Sequence, residues 1–219
     1  TANWAKVYED KDILVINKPY KLLTVSNAKE SENTAFRLAS DYVKTQNTKN
    51  RIFIVHRLDQ DTSGVMMFAK SERVQKKLQE DWNEVVLDRT YVAIVEGVVE
   101  KNKDTIRSFL RENKTTHMYS TTTGLEAITH YEVIRRSKEF TVLKINLDTG
   151  RKNQIRVHLG ERGHHVIGDD KYGHPANPIN RLGLHAYELS IVHPVTKKLL
   201  TFKAPMPKGF LKMFEKPVK

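Results

Sequence analysis

The sequence predicts an α+β fold, a mainly antiparallel mixed sheet with flanking helices and loops. Three observations predict it. Apolar runs of strand length outnumber helix-period segments, the second half alternates with a period of two, and the helices are too few and too irregularly placed for an alternating βαβ chain.

The elements follow in order. Ile13 to Ile16 is a short apolar strand ended by Asn17-Lys18-Pro19, where the proline can donate no ladder hydrogen bond. Ala35, Leu38, Ala39, Tyr42 and Val43 share one helical face, with Asn33 or Thr34 as the cap. Ile52 to Val55 and Val65 to Ala69 are unbroken apolar runs, the pattern of strands covered on both faces. Ser71 caps a helix with Val74, Leu78 and Trp82 in line. Tyr91, Ala93 and Val95 point one way along a strand, and Leu143, Ile145 and Leu147 form a second inward set. Gln154 to Arg162 reads as a short helix with Asn153 as cap and Gly163 as stop. Leu182 to Val192 and Leu199 to Phe202 read as strands joined by a turn at Pro194 to Lys197. No repeat and no Pro/Gly/Ser-rich linker interrupts the chain, so residues 1–219 are expected to form a single domain.

Composition narrows the function. Hydrophobic residues make up 39% and charged residues 29%, which describes a globular chain rather than a disordered one. Lys and Arg total 37 against 26 acids, a net charge of +11. A domain this basic commonly meets a polyanion, and nucleic acid is the commonest; charge kept for solubility is the plainer reading. Part of the excess lies in the tail, where Lys197 to Lys219 holds seven lysines and one glutamate. The polar segment from Lys101 to Thr123, with Arg107, Arg111, Lys114 and His117, reads equally as an RNA-touching loop or a solvated insertion. The absence of cysteine excludes disulfides and thiolate metal sites and leaves a reducing cytoplasm as the expected compartment. No apolar run approaches the roughly 20 residues of a membrane helix, and the start shows no basic-then-apolar signal segment.

The most unusual stretch is Ile52 to Lys70, IFIVHRLDQDTSGVMMFAK. Two apolar strands bracket His56, Arg57, Asp59, Asp61, Thr62 and Ser63, closed by Gly64. Polar groups between core strands cost about 1 to 3 kcal/mol each unless they are hydrogen-bonded, and chains accept them where a site is built. A turn rich in Asx and hydroxyl caps explains the same residues, and local spacing does not choose between the two.

His56-Arg57-Leu58-Asp59 followed by Thr62-Ser63-Gly64 resembles the catalytic motif of the RluA family of RNA pseudouridine synthases. The likeness continues through Val7 to Pro19, Arg89 to Ala93, Gly150-Arg151 with Gln154 to His158, Gly168-Asp169 with Tyr172-Gly173, and Arg181 to Leu189. In all it runs from about residue 7 to residue 207. The chain departs from the family's commonest pattern at Lys152 and Asn153, at His165, where many members have proline, and at Leu125. The first matching segment starts at residue 7, so no separate N-terminal RNA-binding domain of the kind many relatives carry is expected within this sequence.

The resemblance implies a pseudouridine synthase fold and isomerisation of uridine in rRNA or tRNA, with no metal or cofactor. It implies Asp59 as the reacting carboxylate, Arg156 as the cation that keeps it ionised, and Tyr91 as an aromatic partner of the base. Arg57 is implied to fill the gap left by a flipped-out base, and Leu184 to pack beneath the ring. His56, Arg151, Gln154 and His158 complete the expected RNA-contacting set. On residues alone, Arg156 reads as a surface helix arginine and Tyr91 as a core aromatic. A monomer is the simplest expectation. Two rivals remain: a non-catalytic RNA-binding protein, and a metal-dependent hydrolase using His158, His164, His165, Asp169 and Asp170.

Overall fold

A computed structural model describes residues 4–215, so Lys216 and Lys219 of the basic tail lie outside the described residues. In chain order the elements are β1 (Ala5–Glu9), β2 (Ile13–Lys18), α1 (Ala35–Gln46), β3 (Phe53–Ile54), β4 (Ser63–Ala69), α2 (Glu72–Glu80), α3 (Trp82–Val85) and β5 (Val86–Glu96). They continue with β6 (Lys103–Glu112), β7 (Met118–Ser120), β8 (Leu125–Arg136), β9 (Phe140–Leu147), α4 (Gln154–Glu161), β10 (Leu184–Val192), β11 (Leu199–Lys203) and α5 (Lys208–Glu215). The expected α+β, mainly antiparallel class is what forms. The chain makes two compact units: residues to Arg89 with Ala186–Pro205, and Thr90–His185 with the segment from Met206 onward.

In the first unit the strand order is β1-β2-β4-β10, with β11 on β10 and β3 on β4. Every residue of β4 is buried, as its unbroken apolar run predicts. Its antiparallel register with β2 sets Lys18 opposite Gly64 and Ile13 opposite Ala69. Ile13, Val15, Val65, Met67, Val74, Leu78, Leu189, Ile191 and Phe202 form one core cluster. Helix α1 starts at the expected cap, Thr34, whose side chain accepts the Arg37 N–H, and Ser71 caps α2 through the Val74 N–H.

In the second unit the order is β5-β9-β8-β6-β7. Ala93, Val95, Leu143 and Ile145 project into a shared core with Ile155 and Leu159 of α4, as the period-two pattern predicts. The polar stretch from 101 to 123 is regular structure rather than a loop, and most of it stays solvent-exposed, as a solvated insertion would. It folds into β6 and β7, with Ile106 and Leu110 turned into the core. Two inward apolar residues on a ten-residue strand are too few to register as alternation among arginines and lysines. Helix α5 docks through Phe210, fully buried beneath the Arg181 guanidinium 5.1 Å from its ring.

Candidate active site

The loop between β3 and β4 carries His56, Arg57 and Asp59, and four attachments fix it. His56 Nε2 accepts the Met67 N–H at 2.9 Å. Since β3 pairs only with Phe68 and Ala69, the imidazole takes an amide just past the end of that short ladder. Burial and the nearby Arg89 charge push the His56 pKa down to about 4, so the ring is neutral at pH 7 with its proton on Nδ1. Its face lies 5.2 Å from the Trp82 ring. Thr24 Oγ1 donates to the Leu58 carbonyl at 2.7 Å. The buried Lys18 ammonium donates to the carbonyls of Pro19, Leu22 and Gln60. Finally, the Thr62 N–H returns to the Asp59 carbonyl at 3.1 Å and closes the turn.

These attachments leave Leu58 buried, with Arg57 exposed and Asp59 partly exposed on either side. The alternation matches an extended backbone that turns both charged side chains away from the core. Gly64 ends the motif for a steric reason. Its φ is +123°, and a methyl group there would lie 2.1 Å from the Ala186 carbonyl oxygen.

In the second unit α4 presents Arg156, and nearly every residue of that helix is buried. Arg156 is 5% exposed, so it is not a surface helix arginine. Its Nε and Nη2 donate to the two carboxylate oxygens of Asp169 at 3.0 and 2.7 Å. Burial raises the Asp169 pKa, but Arg156 and the N–H groups of Tyr172 and Lys171 outweigh it, and the net shift is downward. The Tyr172 ring lies 5.4 Å from the guanidinium carbon of Arg156, and its hydroxyl donates to Asn153 Oδ1.

Asn153 holds the N-cap position that the sequence predicts, with its carbonyl accepting the Val157 N–H, but its side chain does not cap the helix. It stands in the left-handed region at φ 53°, makes no side-chain capping bond, and gives its oxygen to Tyr172 and to Lys171 Nζ. Gln154 folds back on the preceding loop and β8. Its Oε1 accepts from the Arg151 N–H and Thr149 Oγ1, and its Nε2 donates to the Ile128 carbonyl and Thr129 Oγ1. Thr129 Oγ1 also meets His158 Nδ1 at 2.7 Å, and Ser108 Oγ meets His158 Nε2 at 2.8 Å. Burial, and then the Arg162 charge, bring the His158 pKa down to about 4. Gln154 and His158 are thus sealed at 2% and 1% exposure, and the work their contacts do is to anchor the helix bearing Arg156. Arg151 Nε reaches the Glu126 carbonyl at 2.8 Å. Tyr91 packs against the apolar cluster that contains Leu184 and Ile155.

Two residues of the metal-site rival are committed elsewhere, Asp169 to Arg156 and His158 to two hydroxyls, and His164 Nδ1 meets the Glu96 carbonyl. Asp10, Asp12 and His193 do converge. However, His193 Nδ1 accepts the Val195 and Thr196 N–H groups, so its proton sits on Nε2, facing Asp10, where a metal would need a lone pair.

Lys18, Thr24 and Tyr172 did not stand out as site residues in the sequence, and Asp169 did so only as a metal ligand of the hydrolase rival. Lys18 left one signal, a lone charge ending an apolar strand, and Asp169 and Tyr172 lie in a motif-like segment. Thr24 left none.

Comparison with known proteins bears on these geometries. A family model described as RNA pseudouridylate synthase matches residues 12–161. Ribosomal large subunit pseudouridine synthase D of Pasteurella multocida (strain Pm70) is 36% identical over 224 residues, covering 95% of this chain and 69% of that protein. An uncharacterized RNA pseudouridine synthase, YhcT, of Bacillus subtilis (strain 168) is 35% identical over 205 residues, covering 92% and 68%. Among solved structures, human RNA pseudouridylate synthase domain containing 4 superposes with a TM-score of 0.76 at 22% identity, over 94% of this chain and 90% of that one.

Proposed function

The chain belongs to the RNA pseudouridylate synthase family, and from that premise we propose that it isomerises a specific uridine of ribosomal or transfer RNA, with Asp59 as the reacting carboxylate. Its relatives of known name are RNA pseudouridine synthases, and it is an isomerase of the same kind. Ribosomal RNA is the favoured substrate, because synthase D of P. multocida is named for the large ribosomal subunit.

The reaction breaks the bond from N1 of uracil to C1′ of the ribose, turns the base, and forms a bond from C5 to C1′. The hydrogen on C5 is lost and N1 gains one, with no net oxidation or reduction. Such chemistry calls for an ionised carboxylate, a cation near it and a flat surface for the loosened base. We assign these to Asp59, Arg156 and Tyr91, with Leu184 packing under the base. Arg57, exposed beside Asp59, takes the space of the flipped nucleotide. His56 and Arg151 support the RNA-facing loops from within. We further propose that residues 1–219 act as one catalytic domain, monomeric and cytoplasmic. Among the described residues no helix is long and apolar enough to cross a membrane.

The observation that carries this reading is the pinned loop, which turns Asp59 outward within a sequence matching the family's motif. The test is tritium release from rRNA and tRNA labelled at C5 of uridine, with wild type beside Asp59→Ala. Release by the wild type that disappears in the variant is the expected result. Equal release by both would overturn the role of Asp59, and none by the wild type on either RNA pool would overturn the substrate proposal.

A further inference from the structure

We infer that Asp169 and Tyr172 are positioning residues that fix the plane of the Arg156 guanidinium; this rests on the role proposed above for Arg156. Asp169 binds side-on, using the Nε and Nη2 edge of the guanidinium and both of its own oxygens, so one rotation of the arginine satisfies both bonds. Its Oδ1 also accepts the N–H groups of Lys171 and Tyr172 at 3.0 and 3.2 Å. The carboxylate therefore cannot swing without breaking its own loop.

Tyr172 adds a second constraint, with its ring on the guanidinium and its hydroxyl 2.7 Å from Asn153 Oδ1. Lys171 Nζ shares that oxygen at 2.9 Å and also reaches the Thr116 carbonyl. Residues 169–172 thus hold α4 twice, at the left-handed residue just before it and in its first turn. A buried carboxylate at 1% exposure is costly to keep without a partner, and here the partner is the cation that the reaction uses.

A structural role and a positioning role differ in how the losses combine. Turnover and KM for tritium release, with thermal unfolding in parallel, would be measured for Asp169→Asn, Tyr172→Phe, Arg156→Ala and each of the two combined with Arg156→Ala. Displacing a reacting or charge-stabilising group by about 1 Å can cost about 100-fold in rate. Asp169→Asn is expected to lower kcat about 10- to 100-fold with KM within about 2-fold, and Tyr172→Phe about 3- to 10-fold. In the Arg156→Ala background neither change should lower kcat further, whereas its effect on unfolding should persist. Losses that multiply in that background would overturn the inference and leave Asp169 a stabilising residue only. Full activity of Arg156→Ala would instead remove the role of Arg156, and the inference with it. Should Asp169→Asn fail to fold, Tyr172→Phe, which loses only a hydroxyl, carries the same comparison.

Discussion

Thr24 Oγ1 donates to the Leu58 carbonyl at 2.7 Å and accepts the Leu58 N–H at 3.3 Å, so a single hydroxyl satisfies both backbone groups of the residue next to Asp59. Leu58 itself is 6% exposed, and no strand neighbour is at hand to do the same.

Thr24→Val keeps the shape and removes both bonds. It should cost about 1 to 3 kcal/mol, because two buried backbone groups lose their partner. The carbonyl of Asp59's neighbour is then free to tilt, so kcat should fall more than that loss of folding stability alone would explain under conditions where the variant stays folded. Urea unfolding and single-turnover kinetics on the same preparation check both parts; unchanged stability would mean that the loop is held without Thr24.

Gly64→Ala forces a methyl group against Ala186 and puts a side chain at φ +123°. The three nearest atoms, the O, N and C of Ala186, are all backbone, which cannot move aside as a flexible side chain would. The variant should lose more than about 3 kcal/mol or fail to accumulate in soluble form. A drop below about 1 kcal/mol in thermal unfolding would show that β4 shifts to accommodate the change.

Acid should weaken the fold well before the carboxylates titrate. The His158 imidazole is protonated near pH 6.5 when unfolded and only near 4 when folded. Between these values the unfolded state binds more protons, so stability is complete above pH 6.5 and is lost as pH falls towards 4. The loss from His158 reaches up to about 3 kcal/mol, and His56 adds a loss of the same sign. In His158→Gln the urea midpoint should be lower at pH 7.5 yet fall less steeply from pH 6.5 to 4.5; an unaltered slope would refute the assignment.

The apolar core strands and the first two helices were legible because burial leaves a periodic trace, whereas the mostly exposed β6 and β7 left none. The all-apolar run of β4 and the Thr34 and Ser71 caps follow from local chemistry alone. Asp59 and Arg156 became legible only through a resemblance, since spacing by itself left Asp59 undecided between a site and a turn, and Arg156 on a surface. What the sequence could not convey is partnership across distance. Lys18 looks like any strand-ending lysine until three carbonyls converge on it, and Gln154 looks like a surface polar residue until four partners surround it. Asn153 leaves its helix without a side-chain cap for a related reason. Its side chain is claimed by Lys171 and Tyr172, eighteen and nineteen residues away, and no local rule anticipates that.

The attachments of the Asp59 loop also set an order of events in synthesis. Thr24 and Lys18 lie 34 and 42 residues before their partners Leu58 and Gln60, and Met67 lies 11 residues after His56. A nascent chain emerging from the ribosome therefore carries the residues of the loop before it can shape them. The loop takes its form only when β4 has left the exit tunnel and closed against β2, a non-local contact that forms late. Until then Asp59 is one more solvated acid, and a chain arrested short of Met67 would carry the motif without the geometry.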